Sequence, residues 1–224
     1  MMCMDFTRPT EQVTTLSKYA DAFHLDVMDG HFAPNLALSP DFIKAIAPFS
    51  SIPLEAHLMT EQPDRWLEPL AEAGVSIVSP HVETINRDGF RIANSVASLH
   101  LELGLAINPM TPISAARFLL PRVSLLTLMA VDVGFSRQPF IPEILPKLAE
   151  AAKLREQEGL KYLIQIDGCC NKSTFKSLRD AGADMFVMGN SGFFGQSPDL
   201  ADAWKLMQQD YESATGERLG RTDG

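Results

Sequence analysis

The sequence is poor in the features that mark secreted and membrane proteins. It has only three cysteines, and two of them, Cys169 and Cys170, are adjacent, so no disulfide framework is predicted and a reducing compartment is indicated. No apolar run approaches the roughly 18 residues that a membrane span needs. The first ten residues, MMCMDFTRPT, contain no apolar signal-peptide segment. We therefore expect a cytoplasmic protein without a membrane partner.

Basic clusters are also missing. The formal net charge is −9, and no basic stripe interleaved with aromatic residues is present, so we expect no nucleic-acid partner. A protein of this charge that binds an anionic ligand must do so with local groups, because its overall field is unfavourable. The chain also lacks a G-x-G-x-x-G turn after its first apolar strand, which a doubly wound dinucleotide-binding sheet would carry.

What the chain does have is an alternation of short, β-rich apolar runs with amphipathic segments. Strands are predicted near 23–28, 54–59, 75–82, 101–107, 123–131, 162–167 and 185–189. Helices are predicted near 10–20, 40–48, 63–73, 86–99, 112–120, 141–158, 171–181 and 198–212. This alternation is typical of a parallel sheet covered by helices and favours an α/β (β/α)₈ TIM barrel.

An eighth strand has little sequence available to it. Only the stub Met1–Met4 precedes the first predicted helix, so the first strand of the barrel is expected to be truncated. A doubly wound open sheet is the alternative fold. We predict one barrel domain over residues 1–212 and a polar C-terminal tail over residues 213–224.

The polar residues at the ends of the predicted strands are the candidates for chemistry. Active sites of such barrels lie at the C-terminal ends of the strands. In FHLDVMDGHF, residues 23–32, the period of two puts His24, Asp26 and Met28 on one face. His57 and Asp167 end two further strands, and two imidazoles with two carboxylates form a plausible divalent-metal set. Taken singly, each residue has a simpler interpretation as a hydrogen-bonded structural group or, for Asp167-Gly168, as a turn.

Other residues near the strand ends allow two interpretations each. Met28, Met59 and Met129 either fill gaps in a core or line a pocket. Glu83 is a candidate partner for a metal-bound histidine, whereas His81 could hydrogen-bond a neighbouring strand. Asp29 and His31 follow the first predicted strand and are expected to shape the turn.

Glycine-containing loops in the last third of the chain suggest a phosphate site. Glycine lets the backbone approach an oxyanion, and free N–H groups at a helix N-terminus favour negative charge. In barrels, phosphate often binds at the loops after the last two strands. The candidate segments are Gly134-Phe135-Ser136-Arg137-Gln138, Gly168-Cys169-Cys170-Asn171 and Gly189-Asn190-Ser191-Gly192.

Six segments, read in chain order, resemble the landmarks of the ribulose-phosphate 3-epimerase family. They are HLDVMDGHFAPN, HLM, HVETI, NPMTP, VDVGF with QPF, and IDG. The resemblance extends to about residue 210. Three segments look most like the branch of the family that acts on D-allulose 6-phosphate: QPFIPEIL, REQEGLKY and DGCCN.

The resemblance implies a role for each candidate residue. One divalent metal ion, which could be zinc, manganese, iron(II), cobalt or magnesium, is held by His24, Asp26, His57 and Asp167. Asp26 and Asp167 are also the catalytic acid/base pair, and Met28, Met59 and Met129 form an apolar cap over the reacting carbons. The implied phosphate-binding residues are Gly134, Phe135, Ser136, Gln138, Gly168, Cys169, Gly189, Asn190 and Ser191. Members of the family tend to form homo-oligomers, so the resemblance implies a homo-oligomer here as well.

The implied activity is that of a carbohydrate-phosphate 3-epimerase, an isomerase of carbohydrate metabolism whose small-molecule partner is a ketose phosphate. The expected reaction interconverts D-allulose 6-phosphate and D-fructose 6-phosphate by two-base proton transfer at C3 through an enediolate. The alternatives are ribulose-5-phosphate 3-epimerase, a catalytically silent barrel that binds a sugar phosphate, and a phosphate-binding barrel without metal.

Three departures from the family pattern bear on this expectation. The first strand, with its SPS-like serine, has no counterpart, and the family loop GFGGQ reads GFSRQ, which places Arg137 at a glycine position. The usual NPG or DPG before that loop reads DVG. We expect Arg137 to add a cation near the phosphate or to stiffen the loop.

Overall fold

The computed structural model describes residues 1–219 and shows seven parallel strands in chain order. The strands are β1 (Phe23–Met28), β2 (Leu54–Met59), β3 (Ile77–Pro80), β4 (Glu102–Ile107), β5 (Leu125–Met129), β6 (Leu163–Asp167) and β7 (Met185–Val187). Each strand pairs with the next one, and the order never reverses. The doubly wound alternative is therefore wrong, because that fold needs a reversal of strand order.

The sheet is curled, so that strands distant in the order meet across its inner face. Gln165 on β6 donates to Glu55 on β2 at 3.1 Å, and His24 on β1 lies 3.5 Å from Asp167 on β6. These contacts require the two ends of the sheet to bend towards each other. The fold is thus a seven-stranded form of the TIM barrel, as predicted.

Eight α-helices accompany these strands within residues 1–219, the first of them before β1. They are α1 (Pro9–Leu16), α2 (Pro40–Ile46), α3 (Leu67–Glu72), α4 (Val82–Ile85), α5 (Gly89–Ser98), α6 (Ile144–Glu158), α7 (Phe175–Asp180) and α8 (Leu200–Thr215). The longest two end at glycines in the left-handed conformation, Gly159 (φ 63°) and Gly216 (φ 77°), as is common at helix C-termini. Apolar side chains of the helices pack on the outer face of the sheet to form the main core.

Several predicted boundaries are wrong. No α-helix forms over 112–120; two 3₁₀ turns, Ile113–Ala115 and Leu120–Arg122, stand there instead. Pro112 lies at the predicted start, where a helix tolerates proline, whereas Pro121 removes a backbone donor and restricts the residue before it, so a helix cannot continue through this point. The helix predicted at 171–181 begins only at Phe175, and residues 172–174 form a turn before it rather than its first residues.

The two ends of the chain show one expected feature and one that differs from the prediction. Met1–Met4 form no strand, and β1 and β7 are the edges of the sheet in the described part of the chain. The Met1 ammonium donates to the His24 carbonyl at 2.6 Å. Helix α8 continues to Thr215, three residues past the predicted boundary at 212. Residues 220–224 of the predicted tail lie outside the described residues.

Candidate active site

Strand register places the candidate metal ligands side by side. Phe23, Leu25 and Val27 of β1 enter the main core, so the alternate residues point to the inner face of the sheet. In the pairing of β1 with β2, His24 lies beside Glu55, Asp26 beside His57, and Met28 beside Met59. In the pairing of β5 with β6, Met129 lies beside Asp167. A period of two on each strand therefore assembles the cluster.

The four predicted ligands converge. His24, Asp26, His57 and Asp167 each offer one ligand atom, and these atoms all lie within 4.8 Å of one another. His24 Nε2 lies 3.6 Å from Asp26 Oδ1 and 3.5 Å from Asp167 Oδ2. His57 Nδ1 lies 3.5 Å from the same Asp167 oxygen. All four residues are buried or nearly so.

The donor set fits a divalent cation. His24 Nε2 and His57 Nδ1 are only 3.2 Å apart, and two nitrogen lone pairs at that distance repel each other unless a proton or a cation neutralises them. Two imidazole nitrogens with two carboxylate oxygens suit several first-row divalent metals. The cluster can therefore hold one metal ion through these four side chains, although the residue types do not identify the metal.

The electrostatics of the cluster favour bound positive charge. Burial raises the pKa of Asp26 and Asp167, but their contacts with His24 and His57 outweigh it and hold both pKa values well below the ordinary range. Burial lowers the pKa of His24, yet Glu55, Asp167 and Asp26 together raise it well above its usual value. Ionised carboxylates around two imidazoles attract either protons or a metal ion, and the two compete for the same nitrogens.

A buried polar layer supports the cluster from below, and the sequence prediction missed it. Glu55 Oε2 lies 2.7 Å from His24 Nδ1, while Ser79 Oγ donates to the other Glu55 oxygen at 2.8 Å. Gln165 also donates to Glu55 and accepts from Thr127 at 2.8 Å. The signal was available, because Glu55 and Gln165 each precede a predicted ligand by two residues and so share its face.

The Glu55 contact determines the orientation of His24. A carboxylate can only accept, so His24 carries its proton on Nδ1 and presents Nε2 to the cluster. Glu83, the predicted partner of a metal-bound histidine, contacts His81 at 3.2 Å instead. His81 in turn contacts His57 of the neighbouring strand at 2.8 Å. This agrees with the interpretation of His81 as a residue that hydrogen-bonds a neighbouring strand.

The predicted pocket and phosphate residues lie around one cavity of about 360 Å³ above the cluster. It is lined by Asp26 and Asp167, by the cap methionines Met28, Met59 and Met129, and by three loops. The loop residues that reach it include Gly134, Phe135, Ser136, Gln138, Gly168, Cys169, Gly189, Asn190 and Ser191. The structure therefore brings all the predicted pocket and phosphate residues to one cavity.

The three loops are joined to one another. Arg137 donates to Asn190 Oδ1 at 3.2 Å, and Asn171 donates to Ser191 Oγ at 3.3 Å. Cys169 Sγ donates to the Gln138 carbonyl at 2.9 Å, and burial raises the pKa of this thiol. The Gln138 side chain donates to carbonyls of its own loop, so it shapes the loop rather than facing the cavity freely.

Comparison with known proteins identifies the family. The family model described as the ribulose-phosphate 3 epimerase family matches residues 1–194. This chain belongs to that family. It is an isomerase-class epimerase that acts on a sugar phosphate, and enzymes of the family typically depend on a divalent metal.

Curated relatives cover most of the chain. A ribulose-phosphate 3-epimerase of Mycobacterium leprae is 36% identical over 204 residues, which span 91% of this chain and 90% of the relative. The ribulose-phosphate 3-epimerase of Bacillus subtilis is 36% identical over 199 residues, or 88% of this chain and 91% of the relative. The chloroplastic ribulose-5-phosphate-3-epimerase of Arabidopsis thaliana is 34% identical over 209 residues, which span 92% of this chain and 73% of the relative.

Solved structures support the fold alone. A 3-hexulose-6-phosphate synthase aligns with a TM-score of 0.66 at 14% identity, covering 92% of this chain and 93% of that one. A mutant tryptophan synthase alpha-subunit from Pyrococcus furiosus aligns with a TM-score of 0.65 at 13% identity, covering 95% of this chain and 94% of that one.

Within residues 1–219, no helix combines the length and apolar composition needed to cross a lipid bilayer.

Proposed function

We propose that this chain is a divalent-metal-dependent ketose-phosphate 3-epimerase in which Asp26 and Asp167 are the two acid/base residues. One observation carries the proposal: both carboxylates contact the same imidazole nitrogen and line the same cavity. A ligand in that cavity can touch both.

Inversion at a carbon next to a ketone explains the need for two carboxylates. The proton at C3 leaves on one face, and a proton must return on the other. One of the two aspartates takes the first proton as a general base, and the other, protonated, delivers the second as a general acid. Their roles exchange in the reverse direction.

His24, Asp26, His57 and Asp167 would hold the metal ion. When bound, the ion supplies Lewis-acid stabilisation of the negative charge that develops on the substrate oxygens. The methionine cap is apolar and has no acidic proton. Met28, Met59 and Met129 are each at most 5% exposed, so they exclude water from the reacting carbon without exchanging protons with it.

The loops at the cavity mouth are the proposed phosphate site. Gly189 has nothing within 4 Å of the position that a Cβ would occupy, so a ligand can approach its backbone. Gly168 adopts φ 113°, a conformation that favours glycine. Local N–H groups together with Arg137 would compensate for the acidic character of the whole chain.

Two substrate pairs are supported by different observations. The names of the relatives favour D-ribulose 5-phosphate and D-xylulose 5-phosphate. The segments QPFIPEIL, REQEGLKY and DGCCN favour D-allulose 6-phosphate and D-fructose 6-phosphate. The proposed chemistry is the same for both pairs, which differ by one carbon.

Deuterium exchange followed by NMR tests the proposal. The purified protein is incubated in D₂O with ribulose 5-phosphate or fructose 6-phosphate, with and without a chelator. We expect deuterium to be incorporated at C3 and a chelator to prevent this. The sugar that incorporates deuterium faster identifies the substrate pair. A protein that binds metal but labels neither sugar would support the silent barrel. Metal analysis that finds no stoichiometric divalent ion would support the barrel without metal.

A further inference from the structure

The His57 ring is tied on the side that faces away from the cluster. His57 Nδ1 points to the cluster, whereas His57 Nε2 lies 2.8 Å from His81 Nε2. The second nitrogen of His81, Nδ1, lies 3.2 Å from Glu83 Oε2. Three side chains from β2, from the end of β3 and from α4 thus form one continuous chain that ends at the proposed metal site.

Only one arrangement of protons along His57, His81 and Glu83 is consistent with metal binding. A metal-ligating His57 Nδ1 has no proton, so the His57 proton is on Nε2. His81 Nε2 must then accept it, which leaves the His81 proton on Nδ1, where Glu83 accepts. A doubly protonated His81 would oppose the His57 N–H with an N–H of its own, so His81 is neutral in this arrangement.

Glu83, at the outer end of this series of hydrogen-bonded side chains, is held in place by the backbone. Glu83 Oε1 accepts from the Asn108 backbone N–H at 3.0 Å, so both carboxylate oxygens act as acceptors, as the oxygens of an ionised Glu83 do. Lys147 Nζ on α6 donates to the Asn108 carbonyl at 2.9 Å. The segment NPMTP, which begins at Asn108, is thereby connected to the metal site through Glu83.

His81, in the middle of this series of hydrogen-bonded side chains, is enclosed. The His81 side chain is fully buried, and the Phe32 ring packs on it with centroids 4.6 Å apart. The His81 backbone bridges to Ala106 at β4. An imidazole held on three sides has little freedom to rotate, and it transmits that restriction to the His57 ring.

We propose that His81 and Glu83 are positioning residues for the metal site, in which a neutral His81 relays the charge of Glu83 to His57 and fixes its Nδ1 lone pair towards the metal. This inference rests on the metal binding of the proposed function. His24 is positioned differently, by direct contact with Glu55. The two histidines therefore present different ring nitrogens, Nε2 of His24 and Nδ1 of His57.

Histidine tautomers provide the most direct test. Long-range ¹H–¹⁵N NMR spectra of the full chain, ¹⁵N-labelled and loaded with Zn²⁺, assign the protonated nitrogen of each ring. We expect protons on Nε2 of His57 and on Nδ1 of His81 and His24. A packing role for His81 would not dictate its tautomer. A His81 proton on Nε2, or a doubly protonated His81, would overturn the relay.

Metal affinity of matched variants provides the second test. His81→Phe keeps a ring but loses the acceptor, whereas His81→Gln retains an acceptor oxygen. We expect His81→Phe to weaken Co²⁺ binding about 10- to 100-fold, as is typical when a partner of a metal ligand is removed, and His81→Gln to recover part of the loss. The Co²⁺ absorption spectrum of His81→Phe should also shift, because a released His57 ring changes the ligand geometry. His100→Asn, at an exposed histidine whose left-handed backbone (φ 59°) asparagine also adopts, is the control and should bind like the wild type.

Glu83→Gln keeps the test decisive if His81→Phe does not fold. It removes the charge at the end of the relay and replaces one of the two acceptor oxygens by an amide donor, and we expect a smaller loss of affinity in the same direction. Folded His81→Phe or Glu83→Gln that binds Co²⁺ within twofold of the wild type would overturn the relay alone. A wild-type chain that binds no divalent ion would overturn the proposed function itself, so the two failures are distinguishable.

Discussion

The carboxylates of Asp26 and Asp167 contact the same nitrogen, His24 Nε2, at 3.6 and 3.5 Å. Asp26 lies on β1 and Asp167 on β6, so only a curled sheet can bring them together. Both line one cavity with the methionine cap. A two-base reaction on a single small substrate requires this convergence, and it makes each aspartate a distinct target for mutation.

Asp26→Asn should abolish epimerisation and weaken metal binding. The amide can neither take the C3 proton nor bind a cation as a carboxylate does, and general acid/base catalysis contributes about 10²- to 10⁴-fold. Rates from deuterium wash-in and affinity from metal titration measure the two effects. Asp132→Asn, which alters another carboxylate lining the cavity, is the control. Near-normal turnover of Asp26→Asn would mean that the two-base scheme is wrong.

Met59→Leu should change the rate by less than about tenfold, or about 1.4 kcal/mol of barrier. Met59 is buried beside Met28, and leucine keeps the site apolar with nearly the same volume. Met59→Gln has a similar length but brings a polar amide to the cap, and we expect it to be slower than Met59→Leu. Steady-state kinetics compares the two variants. Complete loss of activity in Met59→Leu would show that the sulfur has a role beyond the cap.

Arg137→Ala should raise KM for the sugar phosphate about tenfold with little change in kcat, since hydrogen bonds to charged groups are worth about 1.5–3 kcal/mol. Among the described residues that line the cavity, Arg137 alone has a cationic side chain. Inhibition by inorganic phosphate should weaken in parallel. Arg122→Ala, an exposed arginine remote from the cavity that contacts Asn94, should leave both constants unchanged. Equal KM values for Arg137→Ala and the wild type would remove Arg137 from the phosphate site.

Arg137 also occupies a strained backbone position. Its φ is 63°, a left-handed conformation that costs an ordinary residue roughly 1–2 kcal/mol. Arg137→Gly should therefore be more stable than Arg137→Ala by about 1 kcal/mol, although both lose the cation. Urea unfolding of the two variants measures the difference, and a more stable alanine variant would contradict the strain.

Asp29→Asn should destabilise the fold at neutral pH by about 1–2 kcal/mol. Asp29 accepts from the backbone N–H groups of His31, Phe32 and Glu61 at 2.8, 3.0 and 2.9 Å. Burial raises the pKa of Asp29, but these donors lower it below its usual value overall. Because the folded-state pKa is depressed, the stabilisation is present above the usual pKa of an aspartate and is lost as the pH falls through the folded-state value. The gap between wild type and variant in chemical denaturation should therefore narrow in acid; a gap independent of pH would contradict this assignment.

The sequence alone predicted all seven strands and the shared face of His24, Asp26 and Met28. A strand repeats every two residues whatever its neighbours are, so this information is local. It did not predict the boundaries between residues 109 and 122, where two 3₁₀ turns replace the predicted helix. It also missed Glu55 and Gln165 as supports of the site, although their spacing from His57 and Asp167 was visible.

Tertiary structure alone decided which groups meet. The polar layer of Glu55, Gln165, Thr127 and Ser79 comes from four strands, and no local pattern shows that their side chains bond across the barrel. Likewise, Glu83 is linked to the cluster through His81, because the His57 and His81 rings meet nitrogen to nitrogen at the end of β3. Residue types and their period are properties of the chain, whereas the choice of ring nitrogen depends on a partner tens of residues away, which is located only when the sheet curls.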